Sequence, residues 1–202
     1  MGSLPLDKLP SMICGVFAGA LCLFSLYRGW GEVPVVFASL FLLAICITDT
    51  LNSRIPNLFN LLLVICGFGY HAWSAGPSGL LTAFLGLLAG FALLLVPYLF
   101  SGMGAGDVKA LAALGSLLGA GPILQVFLYM ALAGGGMAML HYACSRNLLK
   151  KFGDLLINLK TFNYTRHWRL FKPVAQTQSI RFPYAAAIAF GFFAHTCWGN
   201  LV

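Results

Sequence analysis

The chain has 202 residues, of which 60% are hydrophobic and only 8% are charged, and its mean hydropathy is +0.88. A soluble domain of this size carries about 25% charged residues, so the composition argues against a water-soluble globular fold and favours a protein embedded in lipid. The net charge is +7, but no nucleic-acid-binding module is recognisable. We therefore expect the basic residues to flank membrane helices rather than to bind nucleic acid.

Seven apolar segments follow one another along the chain. Clusters of glycine, proline and asparagine separate them, such as AGPSG at 75–79, and these clusters favour turns. Backbone groups inside a bilayer must satisfy their own hydrogen bonds, so we predict an all-α polytopic bundle of six to seven transmembrane helices. The segments lie at about 12–27, 33–51, 58–74, 79–100, 107–120, 122–144 and 183–200.

The segment at 107–120 is shorter than the span of about 20 residues that a bilayer requires. If all seven segments cross, the loops with Arg54 and Lys109 and the basic stretch 145–182 share one face with the N-terminus. The positive-inside rule then makes this face cytoplasmic. If 107–120 is re-entrant, the basic stretch moves to the other face. The sequence leaves both topologies open.

Residues 145–182 hold eight of the twelve Lys and Arg residues and a single acid, Asp154. Leucine and phenylalanine recur at helical spacing near 147–160, which predicts an amphipathic helix in the headgroup layer. A cytoplasmic loop that only fixes orientation explains the same composition. In either form we expect a basic insertion at the membrane surface, in contact with lipids and their anionic headgroups.

Two of the five acids, Asp49 and Asp107, adjoin apolar runs at the ends of predicted helices. A carboxylate at membrane depth is costly and points to function by default. Two carboxyl groups held close together do not both ionise readily, so one can take a proton from water while the other polarises a scissile carbonyl. Alternatively, each acid merely ends a helix and reaches the headgroups, Asp107 as a favourable anion at a helix N-terminus. The residues alone leave these two interpretations open.

Other candidate sites are weaker. Gly104 and Gly106, in SGMGAGDVK, would let a substrate backbone approach, although a turn between helices explains them as well. The six cysteines form no CxxC pair and the four histidines have no metal-ligand spacing. We therefore predict neither a metal site nor a disulfide framework.

Four stretches resemble, in order, the motifs of the type IV prepilin peptidases, which are GxGD aspartyl membrane proteases. GAGDVK at 104–109 is similar to the GxGDxK signature, and DTLNSRIPN at 49–57 resembles the other aspartate motif. KALAALGSLLG at 109–119 and RFPYAAAIAFG at 181–191 resemble the run after the signature and the last helix. The resemblance extends over about residues 40–200 and is closest to the short peptidases that serve Flp-type pili of tight-adherence systems.

The resemblance implies a catalytic pair, Asp49 and Asp107, supported by Gly104, Gly106 and Lys109. It implies hydrolysis after the leader glycine of prepilins or pseudopilins, without metal or cofactor. The site would face the cytoplasm in the bacterial inner membrane. We expect a single peptidase domain over the whole chain. The N-terminal CxxC region of longer members, which is linked to methylation, is not found, so N-methyltransferase activity is not expected.

Four residues are candidates for lining a substrate groove, although helix starts explain them too: Pro56, Asn57, Pro183 and Tyr184. We interpret Asn57 chiefly as the cap of the helix that begins at 58. Two other functions remain open. A proton-coupled transporter would use the two acids as a relay, but repeated halves with broken helices are not evident. A non-catalytic pilus assembly factor would need neither acid.

Overall fold

The structure is a computed structural model, and it describes residues 9–52, 55–99, 103–144 and 184–199. Every element within these ranges is an α-helix, which confirms the predicted all-α class. The helices are α1 (Leu9–Arg28), α2 (Val33–Asn52), α3 (Asn57–Leu99), α4 (Ala105–Leu118), α5 (Ala120–Cys144) and α6 (Tyr184–Trp198).

The chain divides into two compact units, Met1–Gly134 with Phe182–Val202 and Gly135–Arg181. The helix packing and the candidate site described below belong to the first unit. The predicted basic insertion at 145–182, its amphipathic helix near 147–160 and the candidate Pro183 lie outside the described residues.

The surface of the helices is strongly apolar. In the described part of the chain, Val33–Leu51 and Asn57–Leu99 are apolar and long enough to cross a membrane, and Cys14–Arg28 and Ala120–Gly136 are shorter apolar helices. Large side chains such as Leu61, exposed by 57%, point away from the core. Contiguous apolar surface of this kind marks contact with lipid or a partner. These helices form a membrane bundle.

Helix α3 consists of two arms, 57–75 and 77–99, that fold back on each other at Gly76. Gly76 has φ 59° and ψ −138°, a left-handed backbone conformation that glycine adopts without strain. A Cβ atom on Gly79 would overlap the carbonyl oxygen of His71, whereas eight residues of a straight helix rise about 12 Å. The turn that the sequence predicts here therefore separates two antiparallel arms.

Helix α4 lies between the two arms and is buried along almost its whole length. Gly67 on the first arm meets Ser116, and Gly86 on the second arm meets Gly115 backbone to backbone. Small residues at such positions let membrane helices approach closely, which gains packing energy that hydrophobicity does not provide inside lipid. The central helix is thus held by glycine contacts on two sides.

The bundle has two ends, which we call the aspartate end and the aromatic end. At the aspartate end α2 finishes with Asp49 in its last turn, and α3, α4 and α6 begin. At the aromatic end α1 finishes and α2 begins, and α4 and α6 finish. This end carries the exposed side chains of Tyr27, Trp30, Trp73 and Trp198.

Helix α4 runs from the aspartate end to the aromatic end, so it does not return to the end where it begins, as a re-entrant segment would. Its 14 residues rise about 21 Å, less than the hydrocarbon thickness of about 30 Å. The predicted shortness of this segment is confirmed.

Because Gly86 and Gly115 are in close contact, adding one methyl group at Gly86 should lower the stability of the protein markedly. A Cβ on Gly86 would overlap the Gly115 carbonyl oxygen, so Gly86→Ala should destabilise the protein by about 1–3 kcal/mol through overpacking. Gly69→Ala is the matched control in the same helix, because a Cβ there meets nothing within 4 Å. Thermal unfolding in detergent measures both, and equal unfolding midpoints for the two variants would contradict the close packing.

Candidate active site

Asp49 lies in the last turn of α2, and its side chain is half-buried. Its carboxylate accepts a hydrogen bond from the backbone N–H of Ala185, in the first turn of α6. The Oδ2 atom is buried and has no hydrogen-bond partner among the described residues. The first N–H groups of a helix have no partner within the helix, so the start of α6 supplies a donor that the α2 carboxylate uses.

Asp107 is the third residue of α4, and only 9% of its surface is exposed. The N–H of Gly104 donates to Asp107 Oδ2 at 3.2 Å, and the N–H of Asp107 donates to the Gly104 carbonyl at 3.2 Å. This reciprocal pair resembles a capping box, and a carboxylate is favourable at a helix N-terminus. Asp107 is therefore the anion at the N-terminus of α4, as one interpretation of the sequence expects. Its side chain, however, is buried and does not extend towards the headgroups.

The two acids lie close enough to interact, although they come from different helices. The charge on Asp49 acts on the Asp107 carboxyl group. Tyr184, at the start of α6, lies within electrostatic reach of Asp107. Three of the residues that the sequence singles out, Asp49, Asp107 and Tyr184, are therefore brought together at the aspartate end.

Two contacts join the stretches that carry the two acids. A Cβ on Gly106 would lie 3.3 Å from Ile55 Cβ, so the glycine permits the loop before α3 to pack on α4. Lys109 Nζ donates a hydrogen bond to Asn57 Oδ1 at 3.2 Å. Lys109 is exposed, and its contact is with Asn57.

Asn57 differs from its predicted role as a cap. It is the first residue of α3, and its side-chain oxygen accepts the hydrogen bond from Lys109. The contact with another helix explains the difference, because the ammonium group is a stronger donor than the backbone N–H groups that a cap would satisfy.

The remaining predicted residues are placed as follows. Gly104 leaves room for the acid, because a Cβ there would lie 3.1 Å from Asp107 Oδ2. Pro56 is exposed, and its carbonyl accepts a hydrogen bond from the Phe59 N–H at 3.2 Å, which forms the turn into α3.

The comparison with protein families is decisive for the class of protein. The model of the type IV leader peptidase family matches residues 36–139, just over half of the chain. The chain belongs to this family. It is therefore a protease of a membrane-associated family, as the resemblance implies. Comparison with curated proteins and with solved structures gives no match.

The family match spans both acids of the leader peptidase, Asp49 and Asp107, together with the glycines and Lys109. It ends before α6, which supplies Tyr184 and the N–H of Ala185. Within the described ranges, no group of three or more His, Cys, Asp and Glu side chains is arranged to hold a metal ion.

Sequence reasoning misses two contributors to this site, Ala185 and Ile55. Ala185 acts through its backbone N–H, which every residue except proline has, so no side-chain pattern could reveal it. Ile55 is an apolar residue in a turn motif, and only its packing on Gly106 makes it part of the site.

Asn60 is a further polar residue near this end that is 95% buried, and neither side-chain atom has a partner among the described residues.

The packing of Ile55 on Gly106 predicts an engineered disulfide. The Cβ separation of 3.3 Å is close to the range of about 3.5–4.5 Å that a disulfide requires. In a background without the native cysteines, Ile55→Cys with Gly106→Cys should cross-link on mild oxidation. A reduction-sensitive shift in gel mobility after cleavage of the chain between the two positions measures it.

The control is Ile55→Cys with Gly104→Cys, because no Ile55 atom is among the near neighbours of a Cβ at Gly104. Equal cross-linking of the two pairs would show that the loop does not rest on α4 as described.

Proposed function

We propose that this leader peptidase removes the leader from prepilins or pseudopilins, using Asp49 and Asp107 as an aspartic catalytic pair. The observation that carries the proposal is the meeting of two acids from separate motifs at one end of a membrane bundle. A carboxyl pair is expensive to bury in a chain that has only five acids. Peptide hydrolysis is a reaction that such a pair can perform without any other group.

In the proposed reaction, the pair holds one proton between its two carboxyl groups. The ionised carboxylate takes a proton from water as the water oxygen attacks the scissile carbonyl carbon, and the protonated carboxyl group donates to the carbonyl oxygen. The resulting gem-diol collapses as the C–N bond breaks: the leaving nitrogen takes up a proton from the pair, and one gem-diol hydroxyl gives a proton back to it. The products are a new amino terminus and a leader carboxylic acid, which ionises in water, and the pair is again singly protonated.

The surroundings of the two acids support a shared proton. Asp49 accepts a hydrogen bond from Ala185 N–H and Asp107 accepts one from Gly104 N–H. Each backbone donor stabilises the ionised form of its acid. Because the charge on Asp49 also acts on the Asp107 carboxyl group, we treat the proton as belonging to the pair rather than to one member.

The proposed substrate has a short basic leader and an apolar helix, and we assign it to the Flp-type prepilins on the resemblance of the motifs. Tyr184 lies beside Asp107 and could contact the substrate backbone there, with Pro56 and Pro183 further candidates for the groove. We expect cleavage without N-methylation of the product.

We further propose a multi-pass protein of the bacterial inner membrane, with the aspartate end at its cytoplasmic boundary. Lys109 lies at this end, and α6, which follows the basic stretch 145–182 in the sequence, begins here. That distribution agrees with the positive-inside rule. The same stretch would contact anionic headgroups of the cytoplasmic leaflet.

If Asp49 and Asp107 act as a catalytic pair, replacing either acid by its amide should abolish most of the peptidase activity. Asp49→Asn and Asp107→Asn should each lower the rate of leader removal by about 10²–10⁴-fold, the usual contribution of general acid–base catalysis. Co-expression with a Flp-type prepilin, followed by immunoblotting for the uncut form, measures this. Asp7→Asn is the control, because Asp7 lies outside both motifs.

Normal processing by either amide variant would exclude the aspartic mechanism. Each variant must also insert and unfold at the temperature of the parent protein, so that loss of cleavage reports chemistry. Ion-flux measurements in reconstituted vesicles would test the transporter alternative, which requires a flux that disappears when either acid is replaced.

A shared proton also predicts the pH dependence of cleavage. The rate should rise and then fall with pH, because the pair is doubly protonated at low pH and doubly ionised at high pH, and both forms are inactive. Initial rates on a synthetic prepilin peptide in detergent, measured from pH 4 to 10, test this. A rate that rises to a plateau at high pH would indicate a single base instead.

A further inference from the structure

A second site lies at the aromatic end of the bundle. A cavity of about 410 Å³ opens there, lined by the ends of α1, α2 and α6 and by the junction between α4 and α5. This volume falls in the range of about 300–1,000 Å³ that is usual for small-molecule sites. The cavity is separated from the acids by the length of α4, so leader cleavage does not use it. Its polar lining residues are Ser25, Arg28, Glu32, His195 and Thr196.

Two buried polar atoms of the cavity lining have no partner in the described part of the chain. Ser25 is only 2% exposed, and its hydroxyl makes no hydrogen bond. The Nδ1 atom of His195 is also buried without a partner. Thr196, by contrast, donates to the Phe193 carbonyl at 2.8 Å. Buried polar groups are nearly always paired, so Ser25 and His195 point to a ligand that carries oxygen atoms.

The cavity also presents one cation and one anion. Arg28 ends α1 and Glu32 lies in the turn before α2, and both are exposed. Neither forms an ion pair within the described residues. A guanidinium group binds a phosphate through two parallel hydrogen bonds, and a carboxylate accepts from an ammonium group. Since Arg28 and Glu32 are not paired with each other, the cavity offers both charges that a zwitterionic ligand requires.

The aromatic side chains place this cavity at the depth of the headgroups. Tyr27 is 84% exposed and Trp30 is 74% exposed, on either side of Arg28 in the chain. Trp73 and Trp198 are exposed at the same end. Tyrosine and tryptophan with exposed rings concentrate where membrane and water meet. The zwitterion that is abundant at this depth is a phospholipid headgroup.

We propose that this cavity binds the headgroup of a phospholipid with a primary ammonium group, as in phosphatidylethanolamine. Arg28 binds the phosphate, with Ser25 and His195 completing the hydrogen bonds to its oxygen atoms. Glu32 accepts from the ammonium group. The bound lipid links the α1–α2 turn to the C-terminal ends of α4 and α6.

The test is lipid retention by the full-length protein. The protein is purified in detergent with equal amounts of phosphatidylethanolamine, phosphatidylcholine and phosphatidylglycerol, and the bound lipid is counted by native mass spectrometry. Phosphatidylethanolamine should be retained about tenfold better than phosphatidylcholine, which has a phosphate but no N–H to donate to Glu32. Equal retention of the three lipids would overturn the proposal.

Variants assign the two contacts. Arg28→Gln should lower the retention of all three lipids, whereas Glu32→Gln should make phosphatidylethanolamine and phosphatidylcholine equal. Lys109→Gln removes a charge at the opposite end and should retain lipid like the parent. Ser25→Ala, a small change at a buried position, should lower retention of all phospholipids with an unchanged unfolding temperature. A preference for phosphatidylethanolamine that survives Glu32→Gln would contradict the assignment.

Free ligands separate a lipid site from a general anion site. Phosphoethanolamine added in excess should displace bound phosphatidylethanolamine, and inorganic phosphate at the same concentration should not. Equal displacement by both would indicate a phosphate site without recognition of the ammonium group, and would overturn the proposal. Because the readout is bound lipid, the result is independent of whether Asp49 and Asp107 cleave prepilins.

Discussion

The bundle is built around the close packing of α4 between the two arms of α3. Gly86 and Gly115 meet backbone to backbone, and Gly67 and Gly90 leave space for Ser116 and Leu111. Lipid offers no hydrophobic driving force for helix association, so fit between surfaces has to supply the energy. This packing fixes the position of α4 along the arms and therefore the position of Asp107, which stands at its first turn.

From that position the two acid-bearing stretches are joined by contacts outside the acids themselves. Ile55 packs on Gly106, and Lys109 reaches Asn57. The backbone N–H groups of Gly104 and Ala185 donate to the two carboxyl groups. A backbone donor stabilises a carboxylate without adding a full positive charge to the site.

The two ends of the bundle differ in what they bring together. The aspartate end gathers helix N-termini from α3, α4 and α6 around the C-terminal turn of α2, and N-terminal N–H groups suit acids. The aromatic end brings together the C-termini of α1, α4 and α6, the N-terminus of α2, exposed tryptophans and the open cavity with Arg28 and Glu32. Because α4 and α6 both run from the aspartate end to the aromatic end, the two acids and the cavity are separated by the length of these helices.

Composition and turn residues act locally, so the amino-acid sequence is enough to predict the class of fold, the positions of the helices and the two acids. AGPSG predicts the turn at Gly76, and GAGDVK marks Asp107. The folded bundle adds three relations between distant residues: Asp49 lies near Asp107, Asn57 binds Lys109 instead of capping α3, and Ala185 N–H donates to Asp49. These depend on which helices pack together and at what height. Packing is a property of whole surfaces, and a backbone N–H carries no signal in the sequence.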